Sequence, residues 1–390
     1  MSARFPLATT TWDDAEQAAM QRVIASGMFT MGPEVAAFER DFAALFGSRH
    51  AVMVNSGSSA NLLMTAALFF TQNPALRLAR GDEVIVPAVS WSTTYFPLAQ
   101  YGLRLKFVDI DRETLNYDLA ALEAAIGPQT RALMVVNLLG NPNDFDAIAA
   151  LIAGRDITVI EDNCESMGAR LGGHVAGRFG VMGSFSTFFS HHISTMEGGV
   201  VVTDDEELYH ILLSLRAHGW TRNLPVENRL TGRKSDDAFE EHFNFVLPGY
   251  NLRPLELSGA IGQEQLRKLP GLVAGRRANA AAFQAAMANH PLFRIQRELG
   301  ESSWFGFALI LREDAAMDRR AAVAGLSALG FECRKIVAGN FARNRCMAHI
   351  DHEIHDRLVN ADEIDDRGLF VGNHHYPIPE AIETLAAFGR

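Results

Sequence analysis

Residues 186–199, STFFSHHISTMEGG, combine hydroxyl side chains, two adjacent histidines and a Glu-Gly-Gly turn that leads into an apolar run. This order is typical of a loop that holds a cofactor, but His191 stands where such a loop leads one to expect a lysine. An imidazole cannot form the imine that a lysine amine forms with an aldehyde. Its reference pKa of about 6.5 nevertheless suits proton transfer near neutral pH. The segment therefore predicts an acid–base role for His191.

The pair His191–His192 also invites interpretation as a metal site. Adjacent side chains diverge by about 100° on a helix or point to opposite faces of a strand, so one zinc ion is not expected to use both. No third or fourth ligand is evident in the sequence, and we expect no metal. The cysteines, Cys164, Cys333 and Cys346, fall short of the usual four thiolates of an iron–sulfur cluster, which is not expected either.

A phosphate site is indicated at residues 55–61, NSGSSAN, between a strand-like run and an apolar helical run. Gly57 allows close backbone approach, Ser58 and Ser59 add hydroxyl groups, and free amides at a helix start favour an anion. Ser186 can donate a hydroxyl to the same phosphate. A plain helix-capping turn would explain the segment equally well.

Two further side chains follow strand-like runs. Asp162, in VIEDNCESMG, needs a cationic or proton-donating partner if it is buried, and a protonated pyridine nitrogen would be one. Trp91, in VPAVSWSTT, can stack on a flat ring. Separately, the aspartate can cap the next helix and the tryptophan can belong to the core. Together with the phosphate site and His191, they form the inventory of a pyridoxal phosphate (PLP) site.

These residues require a sheet whose strands end at one edge. Strand-like runs at residues 51–54, 83–87, 105–110, 132–137 and 157–162 alternate with helical patterns, which predicts an α/β fold with a mostly parallel, doubly wound sheet. Ligands of such sheets bind at the carboxyl ends of the strands. We expect a large cofactor-binding domain over residues 1–265, with an N-terminal helical segment, and a smaller C-terminal α+β domain over residues 266–390.

Composition narrows the classes of function. The 390-residue chain is 48% hydrophobic and 21% charged, and its formal net charge of -11 argues against a nucleic-acid-binding face. No apolar run approaches the roughly 20 residues of a membrane helix, and the first residues lack the apolar core of a signal peptide. Few cysteines suit a reducing compartment. We therefore expect a cytoplasmic protein that binds neither nucleic acid nor membrane.

At this point the chain resembles the sugar aminotransferases (DegT/DnrJ/EryC1/StrS) of the aspartate aminotransferase superfamily, which are fold type I PLP enzymes acting on nucleotide-linked keto sugars. In that family the loop usually reads Ser-Phe-x-x-(Thr/Ser)-Lys-Asn-Leu and is followed by Gly-Glu-Gly-Gly. Counting back six residues from Glu197 places His191 on the lysine. The resemblance covers essentially the whole chain, through TTWDD, MFTMG, VPAVSWSTTY, NLLGNPN, EDNCESMG, RAHGWTRNLP, VLPGYNLRPLE, GESSWFGF and GLFVGNH.

The histidine is similar to that of a small branch, part of colitose biosynthesis, that removes the sugar's 3-hydroxyl. The branch implies a GDP-linked 4-keto-6-deoxymannose substrate, L-glutamate as amino donor, PLP and pyridoxamine phosphate as cofactor forms, and 2-oxoglutarate and ammonia as co-products. His191 would be the acid and base. A second lysine-less branch, acting on CDP-linked sugars, is expected to bind an iron–sulfur cluster through four cysteines, a pattern that this chain lacks.

The resemblance also implies roles for individual residues. It assigns Gly57, Ser58, Ser59 and Ser186 to the phosphate, Asp162 to the pyridine nitrogen and Trp91 to the stacking lid. Glu165 stands where many relatives carry a glutamine near the cofactor's 3-hydroxyl. Asn251, in PGYNLRP, matches an asparagine that reaches the phosphate from the neighbouring subunit, which implies a homodimer with shared active sites.

Glutamate carboxylates and a sugar diphosphate both need cations. Guanidinium groups present bidentate donors, and the candidates are His218, Arg222, Arg253 and Arg334. Surface arginines usually pair with nearby acids, so a structural role is open for each. Two other functions also stay open: a nucleotide-sugar 4-aminotransferase, which a lysine at position 191 would have supported, and a catalytically silent PLP-binding regulatory relative.

Overall fold

The computed structural model describes residues 3–390 of the chain. Over these residues helices and strands alternate along most of the length, as predicted. The α-helices are α1 (Asp14–Ser26), α2 (Pro33–Phe46), α3 (Gly57–Phe70), α4 (Ser92–Gln100), α5 (Leu119–Ala125), α6 (Phe145–Ile152), α7 (Glu206–Arg216), α8 (Ala238–Glu241), α9 (Glu256–Met287), α10 (Arg319–Ala328), α11 (Val359–Arg367) and α12 (Pro379–Ala387).

Fifteen strands belong to the same described part of the chain. They are β1 (His50–Val54), β2 (Glu83–Pro87), β3 (Arg104–Val108), β4 (Thr130–Val136), β5 (Thr158–Asp162), β6 (Arg170–Leu171), β7 (His174–Val175), β8 (Met182–Ser186), β9 (Gly199–Thr203), β10 (Glu227–Asn228), β11 (Gly232–Arg233), β12 (Phe293–Ile295), β13 (Gly306–Leu311), β14 (His352–Ile354) and β15 (Gly368–Gly372). Each strand predicted between residues 51 and 162 coincides with one of them to within a few residues.

The main sheet has eight strands in the order β1-β9-β8-β5-β4-β2-β3-β14. Only β9 runs against its neighbours, and the pairs β8–β5, β5–β4, β4–β2, β2–β3 and β3–β14 are all parallel. Because β9 is antiparallel to both β1 and β8, those two strands run in the common direction. The carboxyl ends of β1, β8, β5, β4 and β2 therefore meet at one edge, which is where ligands of such sheets bind.

Helices cover both faces of this sheet, so the doubly wound arrangement is confirmed. Side chains from one face, such as Val52 and Val54, pack with α3 and α7 in the largest apolar core. Their neighbours on the opposite face, such as Ala51 and Met53, pack with α2 and α9. The strands are thus buried on both sides, which explains their continuous apolar runs.

A second apolar core lies in the C-terminal part of the chain. The antiparallel sheet β12-β13-β15 packs with α10, α12 and the end of α9. Two elements connect this C-terminal part to the main sheet. Helix α9 continues unbroken through residue 265, and β14 extends the main sheet beside β3. The division into domains at residue 265, which falls inside α9, remains a prediction. Within residues 3–390 no helix is both long and apolar enough to cross a bilayer.

The start of α2 shows how α9 fixes the N-terminal helices. The carboxylate of Glu256, in the first turn of α9, is 1% exposed and accepts hydrogen bonds from the backbone N–H groups of Gly32 (2.6 Å), Glu34 (2.6 Å) and Val35 (3.3 Å). It therefore caps a helix that is distant in sequence and satisfies donors that have no partner inside α2.

The substitution Glu256→Ala is expected to lower the free energy of unfolding by about 2–4 kcal/mol, because it leaves buried N–H groups without an acceptor. Urea unfolding followed by circular dichroism measures the change. Glu123→Ala, at an exposed position of α5, is the control, with an expected change within about 0.5 kcal/mol. Equal stabilities of the two variants would contradict the capping role.

Candidate active site

A cavity of about 360 Å³ opens at the carboxyl ends of β1, β2, β4, β5 and β8. Its size is within the range of pockets that enclose small ligands. Its walls come from the loops that follow these strands, from the loop at residues 188–197 and from three C-terminal segments. The lining residues are Ser56, Gly57, Ser58, Asn61, Ser90, Trp91, Thr93, Val136, Asp162, Cys164, Glu165, Ser186, Phe188, Ser190, His191, Glu197, Phe305, Arg334, Lys335, Val337 and Phe370.

The start of α3 forms one end of the cavity. Ser56 is its N-cap, and Gly57 is so close to β8 that a Cβ atom there would lie 2.7 Å from the Cβ of Ser186. Only glycine allows this approach. Ser58 donates a hydrogen bond from its hydroxyl to Thr93 Oγ1 at 2.9 Å. The helix start thus presents backbone amides and hydroxyl groups to the cavity, which suits a phosphate.

Ser59 differs from the other residues predicted for this end. Its N–H donates to Ser56 Oγ at 3.1 Å, and its Oγ accepts from the hydroxyl of Ser56 at 2.9 Å. Ser59 is absent from the cavity wall of the described chain, whereas Ser56, which was not singled out, lies on it. A direct phosphate contact for Ser59 remains a prediction.

Asp162 ends β5 and is buried at the floor of the cavity. Its Oδ2 accepts hydrogen bonds from Asn61 Nδ2 and Thr94 Oγ1, both at 2.8 Å, and its Oδ1 accepts from the N–H of Cys164 at 3.1 Å. A carboxylate has about four acceptor positions, so a further donor can be accommodated. The hydrogen bonds fix the orientation of the carboxylate and leave it able to receive a protonated ring nitrogen.

Glu165 lies on the same wall, and its carboxyl group is partly in the neutral, protonated form near pH 7. Burial raises its pKa to about 7, and the negative charge of Asp162 adds to this rise, while the N–H of Leu139, which Oε2 accepts at 3.0 Å, opposes it. Near neutral pH the carboxyl group is therefore often protonated. In that form it can donate a hydrogen bond, as the amide of a glutamine would.

His191 projects into the cavity from the loop after β8. Its ring lies 5.1 Å from the ring of Phe305 and 6.0 Å from that of Phe188, centroid to centroid, and its Nδ1 is buried without a hydrogen-bond partner among the described residues. Burial, together with a smaller effect of the positive charge of Arg276, lowers its pKa to about 4. The imidazole is therefore neutral at pH 7 and can accept a proton.

His192 does not share the site of its neighbour. It is fully buried, outside the cavity wall, and its Nε2 lies 3.1 Å from the carbonyl oxygen of Ser303. The two imidazoles thus have different surroundings. Among residues 3–390 no group of three or more histidine, cysteine, aspartate or glutamate side chains is arranged to hold a metal ion.

Left-handed backbone conformations occur around this wall. Leu139 has φ 53°, Trp304 φ 48° and Val337 φ 48°, values that non-glycine residues seldom adopt. The turn at Leu139 directs its N–H to Glu165 and its carbonyl oxygen to the N–H of Phe305, at 3.0 Å in each case. The strain therefore serves to place Glu165 and Phe305 on the cavity wall.

The mouth of the cavity is more exposed. Trp91 is the N-cap residue of α4, is 57% exposed and makes no capping hydrogen bond from its side chain. Arg334 pairs with Glu332 at 3.2 Å, and Lys335 pairs with Asp365 at 2.7 Å. Trp91 is thus free to cover a flat ring, and two cations stand where an anionic substrate would enter.

The remaining predicted residues are not on the cavity wall of the described chain. His218 and Asn251 belong to adjoining segments joined by a bridge between Ala217 and Asn251, and Arg253 Nε donates to Asn251 Oδ1 at 3.0 Å. The guanidinium of Arg222 lies 5.9 Å from the ring of Trp220. These residues lie near one another outside the cavity wall, and their roles remain predictions.

Sequence reasoning missed several residues of the wall. Asn61, Thr93 and Lys335 stand within or beside segments that attracted attention, and polar side chains next to Gly57, Trp91 and Arg334 could have indicated them. For Phe305 and Val337 the sequence holds no such signal, because they reach the cavity through the folding of distant segments.

The sequence matches the DegT/DnrJ/EryC1/StrS aminotransferase family over residues 10–387. The chain belongs to this family. It is 61% identical over 382 residues to a GDP-4-keto-6-deoxy-D-mannose 3-dehydratase of Yersinia pseudotuberculosis, and the match covers 98% of this chain and 97% of that protein. The family assignment and the fold expected from it are thereby confirmed.

Two crystal structures of a GDP-4-keto-6-deoxymannose-3-dehydratase are similar to the chain throughout. Each is 57% identical and superposes with a TM-score of 0.97, covering 98% of this chain and 99% of the other. One is a variant with bound GDP-perosamine, and the other holds a trapped PLP-glutamate geminal diamine. These 3-dehydratases are therefore relatives with which the cavity can be compared.

The substitution Gly57→Ala is expected to weaken PLP binding about ten- to hundredfold, since the added Cβ would lie 2.7 Å from Ser186 Cβ and 2.9 Å from Cys164 Sγ. Fluorescence titration with PLP gives the dissociation constant. The control is Gly127→Ala, where a Cβ would have no neighbour within 4 Å. An unchanged constant for Gly57→Ala would place the phosphate elsewhere.

Proposed function

We propose that the protein removes the C3 hydroxyl of GDP-4-keto-6-deoxy-D-mannose and releases GDP-4-keto-3,6-dideoxy-D-mannose. The reaction uses PLP and pyridoxamine phosphate, takes its amino group from L-glutamate and gives 2-oxoglutarate and ammonia. The observation that carries the proposal is His191: it stands in the cavity in place of a lysine, while the other groups of a PLP site are retained around it. The similarity to the 3-dehydratase over 98% of the chain supports the sugar.

The residues present fit PLP. The start of α3 with Gly57, Ser58 and Ser186 suits the phosphate, Asp162 has room for one more donor, and exposed Trp91 can stack on the ring. PLP, when bound, supplies a carbon that exchanges amino groups and a ring that accepts electrons. Because His191 cannot form an imine, these noncovalent contacts must hold the cofactor by themselves.

His191 moves the proton in this proposal. Its neutral imidazole accepts the proton that leaves the C4′ carbon of the cofactor and then donates this proton to the C3 hydroxyl of the sugar, which departs as water. With a pKa of about 4, the protonated imidazole is a stronger acid than an ordinary imidazolium, and the hydroxyl group leaves readily only when a proton is delivered to it. The same shift makes the base weaker, so proximity to the donor carbon must compensate.

Two carboxyl groups orient the ring. We assign to Asp162 the protonated pyridine nitrogen, which its fixed hydrogen bonds favour, and to Glu165 a hydrogen bond with the 3-hydroxyl of the ring. The pKa of about 7 at Glu165 makes the protonated form available for this contact. Arg334 and Lys335, at the mouth, are suited to the carboxylates of glutamate or to the sugar diphosphate.

We also propose a cytoplasmic homodimer in which each subunit completes the site of the other. Asn251 would reach the phosphate of the partner's cofactor, and His218, Arg222 and Arg253 would provide its further cations. Apolar side chains are exposed beside this group: Phe29 is 52% and Leu255 57% exposed in the single chain. Such neighbours are typical of a surface that another subunit covers.

Mass spectrometry of the product tests the reaction. The holoenzyme is incubated with L-glutamate and GDP-4-keto-6-deoxy-D-mannose, and the nucleotide sugar is weighed. Loss of one oxygen atom, with ammonia and 2-oxoglutarate formed, supports the proposal. Replacement of the keto oxygen by an amine would identify a 4-aminotransferase, and no conversion of either substrate would identify a silent PLP-binding relative. Conversion of glutamate alone would indicate a different sugar.

The substitution His191→Asn is expected to lower the rate of dehydration by about 10⁴-fold, at the upper end of the effect of one acid–base residue, because His191 serves two proton transfers. Steady-state kinetics with the GDP-sugar measures it. His174→Asn, in the exposed hairpin of β6 and β7, is the control and should retain the wild-type rate. Near-full turnover of the His191 variant would refute its assignment.

Shared sites predict complementation between two inactive variants. Subunits carrying His191→Asn and subunits carrying Asn251→Ala are co-expressed with different tags, and the mixed dimer is isolated by tandem purification. One of its two sites then combines an intact His191 with an intact Asn251, so about half of the wild-type activity is expected. A mixed dimer no more active than its parents would contradict the sharing of sites.

A further inference from the structure

Arg276, in the middle of α9, is a buried cation without a counter-ion. It is 5% exposed, and its Nη1 donates hydrogen bonds to the carbonyl oxygens of Phe305 (3.0 Å) and Asn373 (2.7 Å). No carboxylate of residues 3–390 forms an ion pair with it, and its Nε has no partner there. Burial of an unpaired charge is costly, so a neutral side chain of similar shape would be expected if Arg276 served packing alone.

The guanidinium lies directly behind the wall that carries His191. It holds the backbone of Phe305, whose ring is 5.1 Å from the His191 ring and 5.8 Å from the His192 ring, centroid to centroid. Phe305 follows Trp304, which has a left-handed backbone. Arg276 thus fixes the position of Phe305, whose ring packs against the imidazole of His191, and places a positive charge near that imidazole.

Other titratable or charged groups surround His191, and they lie on the cofactor side, on the exposed loop or at the mouth of the cavity. Asp162 and Glu165 belong to the cofactor side of the cavity, and Glu197 is exposed on the same loop. Arg334 and Lys335 stand at the mouth and pair with Glu332 and Asp365. Two of the described groups lie on the buried side of the imidazole. One is the ring of His192, which is neutral, and the other is Arg276, whose charge has no counter-ion.

We propose that Arg276 is a positioning residue that fixes the ring of Phe305 against His191 and sets a permanent positive charge behind the imidazole. The inference depends on the proposed acid–base role of His191. It adds a contribution to that role besides burial: a fixed charge behind the site, which disfavours a second cation beside it.

The histidines around Arg276 support this effect. Burial lowers the pKa of His191, His192, His374 and His375, and in each case the charge of Arg276 lowers it further. Burial also lowers the pKa of His290, where Arg276 does not contribute. The chain therefore contains histidines whose pKa depends on the charge of Arg276 and one buried histidine, His290, whose pKa does not.

The charge of Arg276 affects how kcat depends on pH. A lowered pKa means that His191 stays neutral as pH falls below about 6.5 and takes up a proton only near its own, lower value. Removal of the guanidinium charge raises the pKa of His191, so the neutral base is lost at a higher pH. The acidic limb of the kcat profile then moves to higher pH. General loosening of the packing would also raise the pKa of other buried histidines, so His290 distinguishes the two causes.

The test compares the wild-type holoenzyme with Arg276→Gln, which keeps hydrogen-bond donors but removes the charge, and with Arg276→Lys, which keeps the charge. Nuclear magnetic resonance of ¹³C-labelled histidine rings, assigned by single substitutions, gives each titration. We expect the titrations of His191 and His374 to move upward by about one pH unit in Arg276→Gln, to return towards wild type in Arg276→Lys, and that of His290 to stay unchanged.

Three results would overturn the proposal. The first is an unchanged His191 titration in folded Arg276→Gln, and the second is an equal shift at His290, which would indicate general loosening. The third needs no variant: a wild-type His191 that titrates at or above its ordinary pKa of about 6.5 is not held neutral. Product mass from the wild type is read separately, so failure of the proposed reaction remains distinguishable from failure of the role of Arg276.

Discussion

The hydrogen bonds that Asp162 accepts from Asn61 and Thr94 hold the site together. Asn61 belongs to α3 and Thr94 to α4, whereas Asp162 ends β5, so a single carboxylate joins the loops after three strands. The joined segments carry the helix start predicted to bind phosphate, Trp91, and Asp162 itself, which is proposed to contact the ring nitrogen. Since His191 offers no covalent link to a cofactor, the geometry of these contacts has to be set before the cofactor arrives, and the buried aspartate sets it.

Neutral forms of titratable groups dominate the interior of this cavity. Burial raises the pKa of Glu165 to about 7 and lowers that of His191 to about 4, so both groups are without charge over part of the neutral range. A low dielectric environment disfavours any charge that is not compensated. Opposite shifts of an acid and a base in one cavity give a hydrogen-bond donor at Glu165 and a proton acceptor at His191 at the same pH, as the roles proposed for these two residues require.

The sequence was sufficient for the architecture and for part of the site. Apolar runs that alternate with helical patterns predicted β1 to β5, and residues at the ends of strands predicted Gly57, Asp162, Ser186 and His191. Strand β8 was missed because MGSFS is short and three of its five residues are glycine or serine, which have weak strand preference. Ser59 was assigned to the cavity, and the capping hydrogen bond that occupies its N–H became visible only in three dimensions.

What the sequence could not supply depends on contacts between distant segments. The raised pKa of Glu165 requires knowledge of its burial, and Phe305 approaches His191 across more than one hundred positions of the chain. Arg276 sits in a polar stretch of a long helix, where an arginine would be expected at the surface. Its burial follows from the packing of α9 between the two apolar cores, which no local pattern encodes.

That helix has a mechanical consequence. At 32 residues, α9 is about 48 Å long, contributes to both apolar cores and passes between them without a break. Strand β14 adds a second connection, because it belongs to the C-terminal part of the chain yet hydrogen-bonds to the edge of the main sheet. Two such braces resist rotation of one core against the other. Access to the cavity is then governed by the side chains at its mouth, such as exposed Trp91, while the frame behind them keeps its shape.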